Sequence, residues 1–128
     1  MPIRILSVED EAVNRALLRA VVTRHPILSQ AQLVEATTLA EARSSVAADR
    51  FDLVILDLRL PDGDGLSLAR ELSETSDPPA ILVLSANVHE DDRRAAAEAG
   101  AHAFVGKPYR PPDLVVELDR LLAARAAG

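Results

Sequence analysis

The apolar residues of this 128-residue chain fall into five short runs, and after each run the apolar positions recur with helical spacing. The runs predict strands at residues 3–8, 32–36, 53–56, 80–84 and 103–105. The segments between them predict helices at residues 12–24, 38–49, 66–73, 89–99 and from 111 to about 122. A strand followed by a helix, five times over, predicts an α/β domain with a parallel sheet and helices on both faces.

Local signals agree with these boundaries. Thr38 with Glu41 forms a capping-box pattern, Gly100 stands where the fourth helix ends, and the prolines at 111–112 open the last one. The unbroken run at 53–56 is typical of a strand buried on both faces, whereas the alternation at 32–36 is typical of an edge strand. The first helix is expected to bury one face, formed by Val13, Leu17, Ala20 and Val21.

The carboxyl ends of parallel strands share one edge of a sheet, and ligands bind at that edge in open α/β sheets. Five polar residues lie just past the C-terminal ends of predicted strands: Glu9, Asp10, Asp57, Ser85 and Lys107. We therefore expect them to meet in one crevice, although they are scattered in the sequence. Asp57 considered alone could equally be a strand-end residue that caps a turn.

Composition narrows the function classes. The net charge is −6 and the sequence has no basic cluster beyond Arg93-Arg94, so direct nucleic-acid binding is not expected. The chain has no cysteine, which excludes disulfides and thiolate metal sites. It has neither an apolar run of membrane-spanning length nor a signal-peptide pattern, so we expect a cytoplasmic protein with no membrane contact.

Three carboxylates in one crevice repel one another unless a cation joins them. With only oxygen ligands on offer, the expected cation is a hard one such as Mg²⁺. Lys107, the only lysine of the sequence, adds a fixed positive charge, and Ser85 adds a hydroxyl. These are the parts of a phosphoryl-binding site in which a carboxylate could act as the nucleophile.

A set of short motifs carries a resemblance to a known family. The set comprises Glu9-Asp10, Asp57 with Pro61 and Asp64-Gly65, Ser85-Ala86, and Lys107-Pro108-Tyr109. In this order it resembles two-component response-regulator receiver domains, over residues 3–122. The resemblance implies a flavodoxin-like receiver fold with five helices and strand order 2-1-3-4-5. We accordingly expect a receiver domain at residues 1–123 and a tail at 124–128.

The resemblance also implies roles for single residues. Asp57 would accept a phosphoryl group from a phosphohistidine of a sensor histidine kinase or histidine phosphotransfer protein. Asp10, Asp57 and the backbone carbonyl of Arg59 would bind Mg²⁺, with Glu9 helping through water. Ser85 and Lys107 would hold the phosphoryl oxygens, and the Lys107–Pro108 bond would be cis.

Phe104 corresponds in this resemblance to an aromatic switch that turns inward as Ser85 moves. The output surface would be formed by the fourth helix, the fifth strand and the fifth helix. No output domain is recognisable after residue 122, so we expect output by direct contact with a downstream protein. A weaker likeness of residues 9–15 to receivers of hybrid kinases leaves open whether the chain stands alone.

Other interpretations compete with these. A phosphatase of the haloacid-dehalogenase type would need an acid two residues after Asp57, where this chain has Arg59. A receiver-like module without phosphate turnover would not need the intact acids and lysine. Phe104 could be a plain core aromatic, and Tyr109 is expected to serve packing. The three histidines are expected at the surface or at helix ends, and residues 62–65 are not expected to bind calcium.

Overall fold

The computed structural model describes residues 2–127 and contains a five-stranded parallel sheet. Its strands are β1 (Arg4–Val8), β2 (Gln32–Ala36), β3 (Leu53–Asp57), β4 (Ala80–Ser85) and β5 (Ala103–Gly106). Their order across the sheet is β2-β1-β3-β4-β5, which confirms the predicted order. Every residue of the central strand β3 is buried, whereas the edge strand β2 is mostly half-buried or exposed.

Five α-helices connect and cover the strands: α1 (Ala12–Arg24), α2 (Leu39–Ala48), α3 (Gly65–Ser73), α4 (Glu90–Glu98) and α5 (Pro111–Ala127). A short 3₁₀ turn at Leu28–Gln30 precedes β2. In the loop after β3, Arg59–Leu60 pairs antiparallel with Gly63–Asp64, and we call this pair the loop ribbon. No helix in the described part of the chain has the length and apolar character needed to cross a membrane.

Alternate residues of the strands point to opposite faces and build two cores. On one face Ile5, Ile55 and Leu82 pack in a cluster with residues of α1 and α5, among them Leu18 and Leu118. On the other face a second cluster joins the sheet to α2, α3 and α4, with members such as Leu6, Val54, Leu68 and Ala96. Helices cover both faces of the sheet. Side chains of the central strands therefore reach solvent only where the strands end.

The predicted inner face of α1 is partly wrong. The buried side chains are Leu18, Val21 and Val22, whereas Val13 is 79% exposed and Leu17 is 37% exposed. The helix carries apolar residues around more than half of its circumference, so two overlapping stripes fit the helical period. The structure buries the stripe that is rotated toward Leu18 and leaves Val13 and Leu17 exposed.

The last helix is longer than the sequence predicted. Helix α5 continues through residues 124–127, and residue 128 lies outside the described part. Alanine and arginine, which fill this segment, are among the best helix formers, and no glycine or proline intervenes before residue 128. The inner side of α5 is apolar, with Leu114, Leu118 and Leu121 buried.

Candidate functional site

Three acids meet at the carboxyl edge of the sheet. Val8 pairs with Leu56 across β1 and β3, so Glu9 and Asp57 leave the sheet side by side, and Asp10 follows. Single carboxylate oxygens of Glu9, Asp10 and Asp57 all lie within 4.8 Å of one another. Glu9 and Asp57 are buried, with 3% and 5% exposure, whereas Asp10 is exposed. The convergence predicted from strand order is therefore present, and one acid faces solvent.

Gly65 allows helix α3 to begin directly beside Asp57. A Cβ atom at this position would lie 2.6 Å from the backbone oxygen of Asp57 and 3.1 Å from Cα of Leu58. Any larger residue would push the helix away from the end of β3, because real Cβ atoms do not approach backbone so closely. The Asp64-Gly65 motif thus has a steric reason in this structure.

Lys107 joins two of the three acids. Its Nζ donates to Oδ2 of Asp57 at 2.9 Å and to Oε1 of Glu9 at 3.2 Å. The other oxygens of the two acids accept backbone N–H groups: Oδ1 of Asp57 accepts from Arg59 at 3.1 Å, and Oε2 of Glu9 accepts from Glu11 at 3.1 Å. The lysine side chain is only 15% exposed, so this is a mostly buried ion-pair network. The Lys107–Pro108 peptide bond is cis, as the family resemblance implied.

Burial and charge shift two pKa values in this network. Burial raises the pKa of Glu9 above its ordinary value, and the negative charge of Asp57 adds to the rise, against the opposing backbone hydrogen bond from Glu11 and the charge of Lys107. Burial alone would lower the pKa of Lys107. The hydrogen bond and charge of Asp57, followed by those of Glu9, outweigh that effect and raise the lysine pKa. Lys107 therefore stays charged at neutral pH.

The acid cluster fits a hard divalent cation. It offers three carboxylates and no thiolate or imidazole, which is the ligand chemistry that Mg²⁺ and similar ions prefer. Lys107 neutralises only part of the cluster, because it contacts Glu9 and Asp57 but not Asp10. An open cavity of about 460 Å³ gives a cation and a phosphoryl group access, and Asp10, Asp57, Arg59, Lys107 and Tyr109 are among its lining residues.

No side-chain hydrogen bond joins Ser85 or Phe104 to the acid–lysine network in the described part of the chain, although the carbonyl of Ser85 accepts the backbone N–H of Lys107 at 2.8 Å. The hydroxyl of Ser85, at the end of β4, accepts the backbone N–H of Asn87 at 3.1 Å, and the residue is buried. The ring of Phe104 in β5 is half-buried, and the guanidinium of Arg93 on α4 lies over it at 4.9 Å from the ring centre. Phe104 is therefore more exposed than a plain core aromatic would be. Its expected role as a switch stays a prediction.

The loop ribbon contains acids whose structural role the sequence did not reveal. Asp62 accepts the backbone N–H groups of Leu39 and Ala40 at 2.8 and 3.0 Å, and so caps helix α2 from a distant part of the chain. Asp64 caps its own helix by accepting from Leu66. These bonds give both acids a structural role at a helix start. The local capping pattern at Thr38 predicts the start of α2, but only the fold brings Asp62 to it.

The histidines are not part of the site. His25 ends α1, as predicted, but it is buried rather than at the surface. Its Nε2 lies 2.6 Å from Oδ1 of Asp119, and its Nδ1 accepts the backbone N–H groups of Ile27 and Leu28. His102 is exposed and accepts from the backbone of Ile81. His89 precedes the first residue of α4.

Comparison with known proteins agrees with this geometry. The sequence pattern of the family described as response regulator receiver domain matches residues 5–119. The KDP operon transcriptional regulatory protein KdpE of Escherichia coli is 37% identical over 123 residues, which cover 96% of this chain and 52% of that protein. Response regulator MprA of Mycolicibacterium vanbaalenii is 37% identical over 122 residues, and the match covers 95% of this chain and 51% of that protein. The chain thus spans about half the length of these two relatives.

Solved structures show the same fold. The non-phosphorylated HemR receiver domain from Leptospira biflexa superposes with a TM-score of 0.82 at 32% identity, covering 94% of each chain. The receiver domain protein described as CheY-like from Methanospirillum hungatei superposes with a TM-score of 0.85 over the full length of both chains. Its identity is 21%, so this second likeness concerns the fold alone.

Proposed function

Because this chain belongs to the response regulator receiver domain family, we propose that it is a phosphorylation-activated switch in which Asp57 accepts the phosphoryl group. The observation that supports this most directly is the convergence of Glu9, Asp10, Asp57 and Lys107 at one edge of the sheet. The family works in two-component signalling, through histidine kinases and downstream targets. The donor class, the metal and the output surface are parts of the proposal.

The proposed reaction is a transfer from nitrogen to oxygen. A carboxylate oxygen of Asp57 attacks the phosphorus of a phosphohistidine on a sensor kinase or phosphotransfer protein. The P–N bond breaks, its electron pair returns to the imidazole nitrogen, and an acyl phosphate forms on Asp57. Such transfers need positioning and charge neutralisation more than covalent help from the protein. The buried ammonium of Lys107, already 2.9 Å from Asp57, offers that charge to the transferred oxygens.

The acid cluster would hold Mg²⁺ through Asp10, Asp57 and the backbone carbonyl of Arg59, with Glu9 acting through water. When bound, this ion supplies positive charge to the phosphoryl oxygens and lessens the repulsion among the acids. Glu9 keeps its position through Lys107 and the backbone of Glu11. Asp10, being exposed, is the acid that can turn toward an entering cation at the least cost.

Output is proposed to run through Ser85 and Phe104. The hydroxyl of Ser85 would leave the N–H of Asn87 and bind a phosphoryl oxygen, and Phe104 would turn inward into the space behind it. This movement would alter the surface formed by α4, β5 and α5, to which a downstream protein binds by direct contact. The stack of Arg93 on Phe104 supports this proposal, because it ties the ring to α4 in the unphosphorylated state. We propose a cytoplasmic location.

Mass spectrometry after incubation with a small phosphodonor and Mg²⁺ tests the acceptor assignment. We expect one added phosphoryl group that is released in alkali, and no labelling of Asp57→Asn. Asp64→Asn is the matched control, because it changes an exposed acid of the same loop to another good helix cap and should label as the parent does. Full labelling of the Asp57→Asn protein would refute the proposal.

A further inference from the structure

Two buried hydroxyl groups next to the acid cluster have no hydrogen-bond partner among the residues that the structure describes. They belong to Ser7 of β1, which is 1% exposed, and to Tyr109, which follows the Lys107–Pro108 bond. Burying a hydroxyl without a partner is costly, and nearly all buried polar groups in proteins have one. Two such groups on segments far apart in the sequence call for a common explanation.

Both hydroxyl-bearing residues line the same small cavity. Its volume is about 10 Å³, and Glu9 and Asn14 are the other polar residues that line it. A buried water needs about this much space and two to four polar partners. An apolar cavity stays dry, but this one is lined by two hydroxyl-bearing residues, a carboxylate-bearing residue and an amide-bearing residue.

We propose that this cavity is a binding site for one ordered water, which hydrogen-bonds the hydroxyls of Ser7 and Tyr109 and the carboxylate of Glu9. Tyr109 is then a positioning residue that acts on Glu9 through the water. The water site stands independently of the reaction, whereas its bearing on metal binding rests on the proposed function.

Glu9 has the capacity for this further bond. Each of its carboxylate oxygens has one partner, Lys107 for Oε1 and the backbone of Glu11 for Oε2, and a carboxylate accepts about four hydrogen bonds. Burial, followed by the negative charge of Glu9, raises the pKa of Tyr109, so its hydroxyl keeps its proton and acts as a donor. Lys107 and the water would then hold Glu9 together, and the carboxylate would keep one orientation.

The sign of a stability change tests the water site. Tyr109→Phe deletes only the hydroxyl. If the hydroxyl is unpartnered, this change leaves stability equal or higher, since a desolvation cost disappears. With a bridging water we expect the folding equilibrium constant to fall about fivefold in Tyr109→Phe and in Ser7→Ala, measured by urea unfolding. The double variant should lose less than the product of the two, because both hydroxyls share one water.

Three results would overturn the proposal: a Tyr109→Phe protein as stable as the parent, strictly additive losses in the double variant, or a high-resolution crystal structure without a water between the two hydroxyls. None of these measurements involves phosphorylation of Asp57. Failure of the water site and failure of the proposed function are therefore distinguishable.

Mg²⁺ affinity, measured by calorimetry at fixed pH, separates positioning of Glu9 from mere stabilisation. We expect Tyr109→Phe to weaken Mg²⁺ binding about two- to fivefold, a loss of the order of one hydrogen bond. Val22→Ala is the matched control, because it removes atoms from the core cluster on the same face of the sheet without lining the cavity. It should be destabilised yet bind Mg²⁺ as the parent does. Equal Mg²⁺ affinity of Tyr109→Phe and the parent would overturn the positioning role.

Discussion

The two halves of the candidate site are built differently. The acid–lysine half, at the ends of β1, β3 and β5, is already connected: Lys107 bonds to both Glu9 and Asp57. The proposed switch half, Ser85 at the end of β4 and Phe104 in β5, has no side-chain bond to it among the described residues, and the two halves meet only where the backbone N–H of Lys107 donates to the carbonyl of Ser85 at 2.8 Å. There the hydroxyl of Ser85 is taken by the backbone of Asn87, and the ring of Phe104 is covered by Arg93.

This difference follows from charge. Buried ions must be paired in the folded protein, so Glu9, Asp57 and Lys107 have to meet before any ligand arrives. A neutral hydroxyl and an aromatic ring have no such need and can be satisfied by local partners. The first half is thus organised before any ligand arrives, whereas we propose that the second half changes only when a new partner competes with Asn87 and Arg93. Four substitutions test this difference, and the two in the acid–lysine half have the largest expected effects.

Replacing Asp10, the exposed acid, should weaken Mg²⁺ binding without disturbing the bonds of the acid–lysine half. In Asp10→Asn one carboxylate of the cluster is lost, while both bonds of Lys107 remain. We expect Mg²⁺ affinity to fall by at least about tenfold, because changes even to outer-shell partners cost about 10- to 100-fold. Calorimetric titration measures this, and the rate of phosphodonor labelling should fall with it.

Glu11→Gln is the control for Asp10→Asn. It changes the neighbouring acid, which is outside the three-acid cluster, and should bind Mg²⁺ like the parent. If Asp10→Asn bound Mg²⁺ with parental affinity, the cluster would not be the metal site.

Removing the lysine charge should destabilise the connected half itself. In Lys107→Met the buried carboxylates of Glu9 and Asp57 lose their common cation. Removal of one partner from a buried ion pair costs about 3 kcal/mol, so we expect the free energy of unfolding to fall by that order in chelator. Excess Mg²⁺ should restore part of it by replacing the lost charge.

The pH dependence of this loss has a definite sign. The pKa of Lys107 is raised in the folded protein above its ordinary value of 10.5. The stabilisation it provides is therefore complete at neutral pH and is lost only as the pH rises beyond 10.5. Urea unfolding of the parent and of Lys107→Met at several pH values should show a constant difference in the free energy of unfolding from pH 7 to 9.

Lys107→Arg keeps the charge but not the compact ammonium. It should be more stable than Lys107→Met yet impaired in switching. Equal stability of parent and Lys107→Met would contradict the structural account.

The same contrast explains which features could be predicted from the sequence. Buried strands such as β3 leave an unbroken apolar run, and parallel strands end at one edge, so the meeting of Glu9, Asp10, Asp57 and Lys107 follows from periodicity and topology. The order of the strands does not follow from periodicity, and it came from the known fold that the motifs resemble. The position of Ser85 at the same edge also follows from topology, whereas the switch roles of Ser85 and Phe104 rest on resemblance, because a neutral side chain has many possible partners.

Long-range partners are what the local pattern could not show. Asp62 caps α2 across 22 or 23 positions of sequence, and His25 meets Asp119 across 94. The inner face of α1 was misassigned because Val13 and Leu17 fit the same helical period as the buried residues. Tyr109 was expected to serve packing, and only the cavity that it shares with Ser7 suggests more. In each case the missing information is which element packs against the residue.

A change at Arg93, beside Phe104, should leave the acid–lysine half unchanged. Arg93→Gln removes the cation over Phe104, an interaction worth about 0.5–1 kcal/mol at an exposed site. We expect the population of inward ring positions to rise about two- to fivefold, seen as shifted ring resonances of Phe104 in NMR spectra, with unchanged Mg²⁺ affinity. Arg94→Gln, next to it, is the control, since Arg94 lies by Asp91 and not over the ring. Identical Phe104 resonances in Arg93→Gln and the parent would show that the stack does not hold the ring.

The smallest expected effect concerns the lifetime of the phosphorylated protein and is the effect of changing Arg59. Arg59 is exposed, lines the cavity above Asp57, and makes no ion pair within residues 2–127, so its long side chain is available to lie over a phosphoryl group or to pair with its oxygens. Asn87, two residues after Ser85, carries no carboxylate that could activate a hydrolytic water. Shielding by Arg59 without activation by Asn87 should slow hydrolysis. We therefore expect Arg59→Ala to accelerate the decay of purified phosphoprotein in Mg²⁺ buffer about two- to threefold, which is the order of one solvent-exposed charge interaction.

Two further variants serve as controls. Arg59→Lys, which keeps a long cation, should decay at nearly the parental rate. Arg70→Ala, which removes an exposed arginine on α3, should not change the decay rate. If Arg59→Ala decayed as slowly as the parent or more slowly, the arginine would point to solvent. The acid–lysine half alone would then control the access of water to the acyl phosphate.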